Sequence, residues 1–160
     1  MNIQNNAPSL FDDGHIGIGM APAAIETKIA STANLVDLMH DGFYIVFLLK
    51  NQYVPSNADS FRDKILTLLN RFESQARKLQ FSNEDIQDAK YAYCALLDET
   101  IVTQQNARFF DLQNNWMMCP LQLSLFGSQL AGYRFFEKMD EIRSKGKERL
   151  AALEVYHYCM

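Results

Sequence analysis

Residues 89 to 100 read Ala-Lys-Tyr-Ala-Tyr-Cys-Ala-Leu-Leu-Asp-Glu-Thr, so two adjacent carboxylates, Asp98 and Glu99, sit inside an apolar stretch of helical character. A helical wheel puts Tyr91, Cys94, Ala95, Asp98, Ile101 and Val102 on adjoining positions of one face, where side chains are normally buried. A carboxylate placed there costs free energy unless it is hydrogen-bonded, paired with a cation or solvated in a groove. Asp98 is therefore either a structural tie, to a neighbouring helix end or a buried arginine such as Arg108 or Arg134, or part of a recognition cleft. Glu99 is turned about 100° away, toward Ala92, Leu96 and Thr103, and is expected to be exposed. The same offset keeps the two carboxylates from flanking one scissile bond, which argues against a catalytic pair.

The remaining pattern is helical throughout and predicts an all-α domain. Residues 1 to 22, rich in Asn, Gly and Pro without periodicity, read as a flexible tail, leaving 23 to 160 as the folded unit. Ile25, Ile29, Ala33, Val36, Phe43 and Phe47 recur three or four apart, with His40 on the same face, and predict one long helix from Ala23 to about Gln52. Phe61, Ile65, Leu68, Leu69, Phe72, Ala76 and Leu79 form the stripe of a second helix, from about Asp59. Ser82 opens a third, with Asp85 three positions on in a capping arrangement, and it should persist to about Thr103. The polar residues that follow predict a loop anchored by Phe109, Phe110 and Leu112. Pro120 suits the start of a short helix through Leu121, Leu123 and Leu125, since no partner exists for a strand there. Gly127 and Gly132 bracket a turn, and Phe135, Phe136, Met139 and Ile142 predict another helix, broken at Lys145-Gly146-Lys147. A last helix starts at Leu150. Phe43, Phe47, Leu68, Phe72, Tyr93 and Leu97 are expected in the core.

Several chemistries are disfavoured. Fifteen basic against nineteen acidic residues give a formal charge of -4, unlike the basic stripe of a nucleic-acid binder. The run from Arg134 to Arg149 interleaves both signs and reads as a solvated helix face. Cys94, Cys119 and Cys159 are an odd number without metal or redox spacing, which fits a reducing compartment. Cys94, on an apolar face, reads as a packing residue more readily than as a nucleophile. His15, His40 and His157 are too scattered for a local metal motif. Gly127 and Gly132 have the spacing of phosphate-loop glycines, but Tyr133 and Arg134 replace the required Lys and Ser or Thr. No cofactor is expected. The longest apolar run, Phe43 to Leu49, is far shorter than the roughly 18 residues of a membrane-spanning candidate.

The Ala89 to Thr100 block, Trp116, the series Leu121, Leu123, Leu125 and Phe126, then Ala131-Gly132-Tyr133-Arg134-Phe135-Phe136, and Leu150 to Met160 follow one another in a familiar order. In this the chain resembles the TssL/DotU/IcmH family, the cytoplasmic part of an inner-membrane anchor of type VI secretion. Two stretches depart from the family pattern: Thr103-Gln104-Gln105-Asn106 stands where Thr-Pro-Trp-Gly is usual, and Ala131-Gly132-Tyr133-Arg134 where Gly-Gly-Glu is expected before Phe-Phe. The resemblance implies two small three-helix bundles forming a hook with a cleft, and a C-terminal membrane helix beyond Met160. It also implies recruitment of the baseplate through TssM-like, TssK-like and TssE-like partners, without turnover. On this reading Asp98, Glu99 and Trp116 are candidate partner-binding residues, and Asp98, Tyr93, Gly132, Phe135 and Phe136 candidate structural ones. With charged helix faces and no long hydrophobic seam, the chain alone should be monomeric or weakly dimeric. The alternatives are a regulatory α-helical domain without a tether, or an enzyme using Asp98 or Cys94.

Overall fold

The computed structural model describes residues 33–127 and 131–160, and the expected tail and the first part of the expected first helix lie outside them. Among the described residues every regular element is a helix: α1 (Leu35–Leu38), α2 (His40–Lys50), α3 (Ala58–Lys78), α4 (Asn83–Val102), α5 (Phe110–Met118), α6 (Leu121–Phe126), α7 (Ala131–Ser144) and α8 (Leu150–Cys159). Short 3-10 turns, Ala107–Phe109 and Gly146–Arg149, lead into α5 and α8. The all-α expectation therefore holds.

Helix α4 is the axis of the fold. It is buried on nearly every side, and α3, α5, α6, α7, α8 and α2 all pack on it. Helices α2 and α3 pack on α4 and on each other, α1 packs on α8 and α3, α6 and α7 pack on α4, α7 also packs on α8, and α5 bridges α3 and α4. Helix α3 is amphipathic as read, burying Ile65, Leu68, Leu69, Phe72 and Ala76 and exposing its charged residues except the partly buried Arg62 and Glu73. Asn57 caps its start by accepting the Ser60 amide at 2.7 Å, and Ser82 caps α4 by accepting the Asp85 amide at 3.0 Å.

Two expectations for the first helix need correction. The chain is not one continuous helix there: Asn34 starts α1 with a reciprocal capping box, its side chain accepting the Asp37 amide at 2.8 Å, and the helical geometry is interrupted at the fully buried Met39. Phe47 is not a core residue, being 57% exposed, and Phe43 is only half-buried. The reason is Gly42. Helix α2 buries the face carrying Gly42, Val46 and Leu49, because the missing side chain lets the Tyr93 ring lie where a Cβ would be only 2.8 Å from it. The Tyr93 hydroxyl then donates to the Gly42 carbonyl at 3.1 Å inside the core. That contact turns Tyr44 and Phe47 outward, stacked on each other at 6.2 Å.

Three further corrections concern the second half. The segment read as a loop contains α5, which buries Leu112 and Trp116. Gly127, at φ +66°, ends α6 in the left-handed conformation, but Gly132 lies inside α7 and does not close the turn. Phe135 is buried against Tyr156 at 4.8 Å between ring centres, whereas Phe136, one residue on, is exposed. A core role for Phe136 is thus excluded by helix geometry, since adjacent residues cannot both face α8.

Candidate functional site

Asp98 ties three helices together. Its Oδ1 accepts from the Trp116 indole at 2.7 Å and from the Leu121 amide at 3.0 Å; Oδ2 accepts from the Gln122 amide at 2.9 Å. The two amides are the first of α6, whose N-cap position is Pro120, a residue with no side-chain oxygen. Asp98 supplies from α4 the capping oxygens that Pro120 cannot. Neither Arg108 nor Arg134 is its partner; both are exposed. Burial pushes the Asp98 carboxyl above the ordinary carboxylate range, while the Gln122 amide, the Trp116 indole, the Leu121 amide and Arg62 pull in the opposite direction. Arg62 lies over the Trp116 ring at 4.3 Å, and Phe61 packs against the same ring at 5.6 Å.

This geometry decides what the acidic pair presents to a partner. Asp98 is 6% exposed and Trp116 is fully buried, so neither offers a side chain to another molecule while the fold is intact. The expectation of a Trp116 contact is corrected on that ground: the indole N–H is spent on Asp98. Glu99 is exposed. Around it the α4 terminus is covered by Gln113 of α5, whose amide donates to the carbonyls of Ile101, Val102 and Gln104 at 3.0, 3.1 and 2.7 Å. Phe110 and Met117, three before and four after Gln113, share its side of α5 and stand exposed, as does Val102, one turn beyond Glu99. The last turns of α4 and the outer side of α5 thus expose one carboxylate and three large apolar side chains.

A second polar cluster lies at the other end of α4, and it takes in Arg149, expected on a solvated face, together with Asp85, expected at the α4 cap. Arg149 is buried, with Nε 2.5 Å from Asp85 and Nη2 2.6 Å from Asp88. Glu84 approaches its Nη1 at 2.6 Å, and Lys138 joins Asp88 at 2.8 Å. Burial works against the guanidinium, but the hydrogen bonds it donates to Asp85 and Asp88 outweigh that and hold the pKa above the ordinary arginine value. The signal was present as two carboxylates a turn apart on α4; what the sequence lacked was the approach of the turn before α8.

Burial also pushes the Cys94 thiol up, with the neighbouring Asp98 charge acting in the same direction, so Cys94 is held as a neutral packing group. His40 and His157 are exposed on the surface. Among the described residues no three His, Cys, Asp or Glu side chains gather as a metal site, and no helix is long and apolar enough to cross a membrane.

The fold is an all-α bundle built around one buried helix, with a carboxylate of that helix capping a neighbour. The type VI secretion system protein DotU family model matches residues 34–160, and the chain belongs to that family. The cytoplasmic domain of TssL from Acinetobacter baumannii is 70% identical over 80% of each chain, with a TM-score of 0.78. SciP/TssL from enteroaggregative Escherichia coli 042 shares the fold at 20% identity and a TM-score of 0.60, over 78% of this chain and 72% of that one. No curated protein matches the chain.

Proposed function

We propose that this chain is the cytoplasmic docking domain of a TssL-type inner-membrane anchor, and that it recruits baseplate components, TssK-like and TssE-like, alongside a TssM-like partner. The action is recognition without turnover, and the isolated chain is monomeric or weakly dimeric. The observation that carries this reading is the division of labour within the acidic pair. Asp98 fixes α5 and α6 against α4, while Glu99 and Val102 on α4 and Phe110 and Met117 on α5 are left exposed. Aromatic and Met side chains with one charge suit the core of a protein interface. A charge reversal at its edge disturbs binding without touching the fold.

Purified TssK-like and TssE-like proteins from the same system, pulled down by wild-type chain, Glu99→Lys and Phe110→Ser, test it. Both variants should melt within a degree or two of wild type and retain markedly less partner. Wild-type retention by both folded variants would remove this surface from the recruitment reading.

A further inference from the structure

On the opposite side of the α2–α3 pair from the core lies an open groove of about 330 Å³, lined by Asp41, Tyr44, Ile45, Lys64, Thr67, Leu68 and Arg71. None of these residues belongs to the Glu99 surface. The α3 wall is charge-segregated. Lys64, Thr67 and Arg71 line the groove, and outside it Ser60, Ser74 and Lys78 continue the same exposed row, which carries no carboxylate and whose three cations repeat every seventh residue, about 10.5 Å apart along the axis. The carboxylates of α3 are elsewhere: Glu73 is engaged by Arg77 and Lys90, Asp59 by Asn115, and Asp63 stands outside the lining. The α2 wall is Asp41, Tyr44 and Ile45, with Tyr44 more than half exposed. One carboxylate enters the groove, Asp41, and it is paired with Arg71.

We infer that this groove receives an acidic amphipathic helix from a partner protein. A helix laid along α3 would bring carboxylates at heptad spacing opposite Lys64, Arg71 and Lys78 and seat one apolar side chain between Tyr44 and Leu68. Helix-in-groove recognition places apolar anchors in a cleft with charges on its rim in this manner. The local charge runs against the acidic balance of the whole chain, so the preference for an acidic partner is a property of this face. Three cations spread along the helix beside a carboxylate are too sparse for a lipid surface, which is held by denser basic clusters. Asp41 competes with the incoming acid for Arg71, so its removal should favour binding.

The test uses the full chain and a fluorescein-labelled synthetic helix of about six turns with Glu at every seventh position and a Leu stripe, against a twin carrying Lys at those positions. Fluorescence anisotropy should show binding of the acidic peptide only. Lys64→Glu and Arg71→Glu should each weaken it about tenfold while leaving the melt unchanged, and Asp41→Asn should tighten it several-fold. Amide shifts of isotope-labelled protein should localise to Tyr44, Lys64, Thr67 and Arg71. Equal binding of the twin peptide, undiminished binding by the two charge reversals, or shifts clustered elsewhere would overturn the inference. Broadening of the groove amides with protein concentration alone would assign the groove to a second copy. Lys64-dependent sedimentation with vesicles rich in phosphatidylglycerol, in place of peptide binding, would assign it to a membrane. Either result would also overturn it.

Discussion

Replacing Asp98 by Ala removes the acceptor for three buried donors at once: the Trp116 indole and the amides of Leu121 and Gln122. Each orphaned donor costs about 1 to 3 kcal/mol. Loss of the buried carboxylate returns part of its own desolvation penalty, and relaxation at the start of α6 recovers more. The expected net loss is therefore about 3 to 5 kcal/mol, rather than the sum of three full penalties. For a chain of this size that lowers Tm by roughly 6 to 20 °C. Asp98→Asn is the sharper probe. Its oxygen can stay at the Oδ1 position and keep Trp116 and Leu121, but its NH2 group then faces the Gln122 N–H, so one donor is lost and the cost should be about 1 to 2 kcal/mol. Urea unfolding followed by tryptophan fluorescence reports both, because Trp116 is the reporter and the partner. A loss under about 1 kcal/mol for Asp98→Ala, or an Asn variant as damaged as the Ala one, would refute the capping account.

Arg149→Met should destabilise by about 3 to 5 kcal/mol, since it leaves Asp85 buried without a cation and Asp88 with Lys138 alone; adding Asp85→Asn to that variant should recover most of the loss in the same urea titration. Phe72→Ala should cost about 3 to 5 kcal/mol and Phe47→Ala less than about 1, reversing the weight that the apolar stripe alone assigns to Phe47; similar losses would contradict the placement of α2. Hydrogen bonds from Lys90 and then Arg77 hold the Glu73 carboxyl below its ordinary value. Its contribution is thus present above the unfolded-state pKa of about 4.3 and is lost as pH falls through the lower folded pKa. Thermal melts of wild type and Glu73→Gln, taken from about pH 6 down to about pH 2, should converge as the pH drops; a difference that persists at the acid end would exclude the pairing as its source.

What the sequence displayed well were features with a local cause. The stripe of α3, the Ser82 cap of α4 and the break before Leu150 follow from period and cap chemistry within a few residues. The anomaly at Asp98 was also legible, because a carboxylate on an apolar face must be answered by something. What answered it was not legible, since Trp116 and the start of α6 are 18 to 24 residues away. Phe47 was misjudged for a related reason. Helix α2 is apolar on more than one side, and its buried face was chosen by Gly42 fitting the Tyr93 ring, a contact 51 residues apart that no periodicity reveals. Arg149 likewise looked like one charge in a mixed run until the fold brought it to Asp85 and Asp88, 64 and 61 residues earlier.

The recruitment reading is tested most directly in the cell, in a strain whose anchor protein carries a photo-crosslinking amino acid at Glu99, Val102 or Met117, with Glu148 as a control on another surface. The account predicts a crosslink to a baseplate component from the first three positions and none from Glu148, with the Asp98→Asn background retaining the product only as far as the domain stays folded. Crosslinks from Glu148 alone, or none from the three surface positions in cells that still assemble the secretion apparatus, would contradict it.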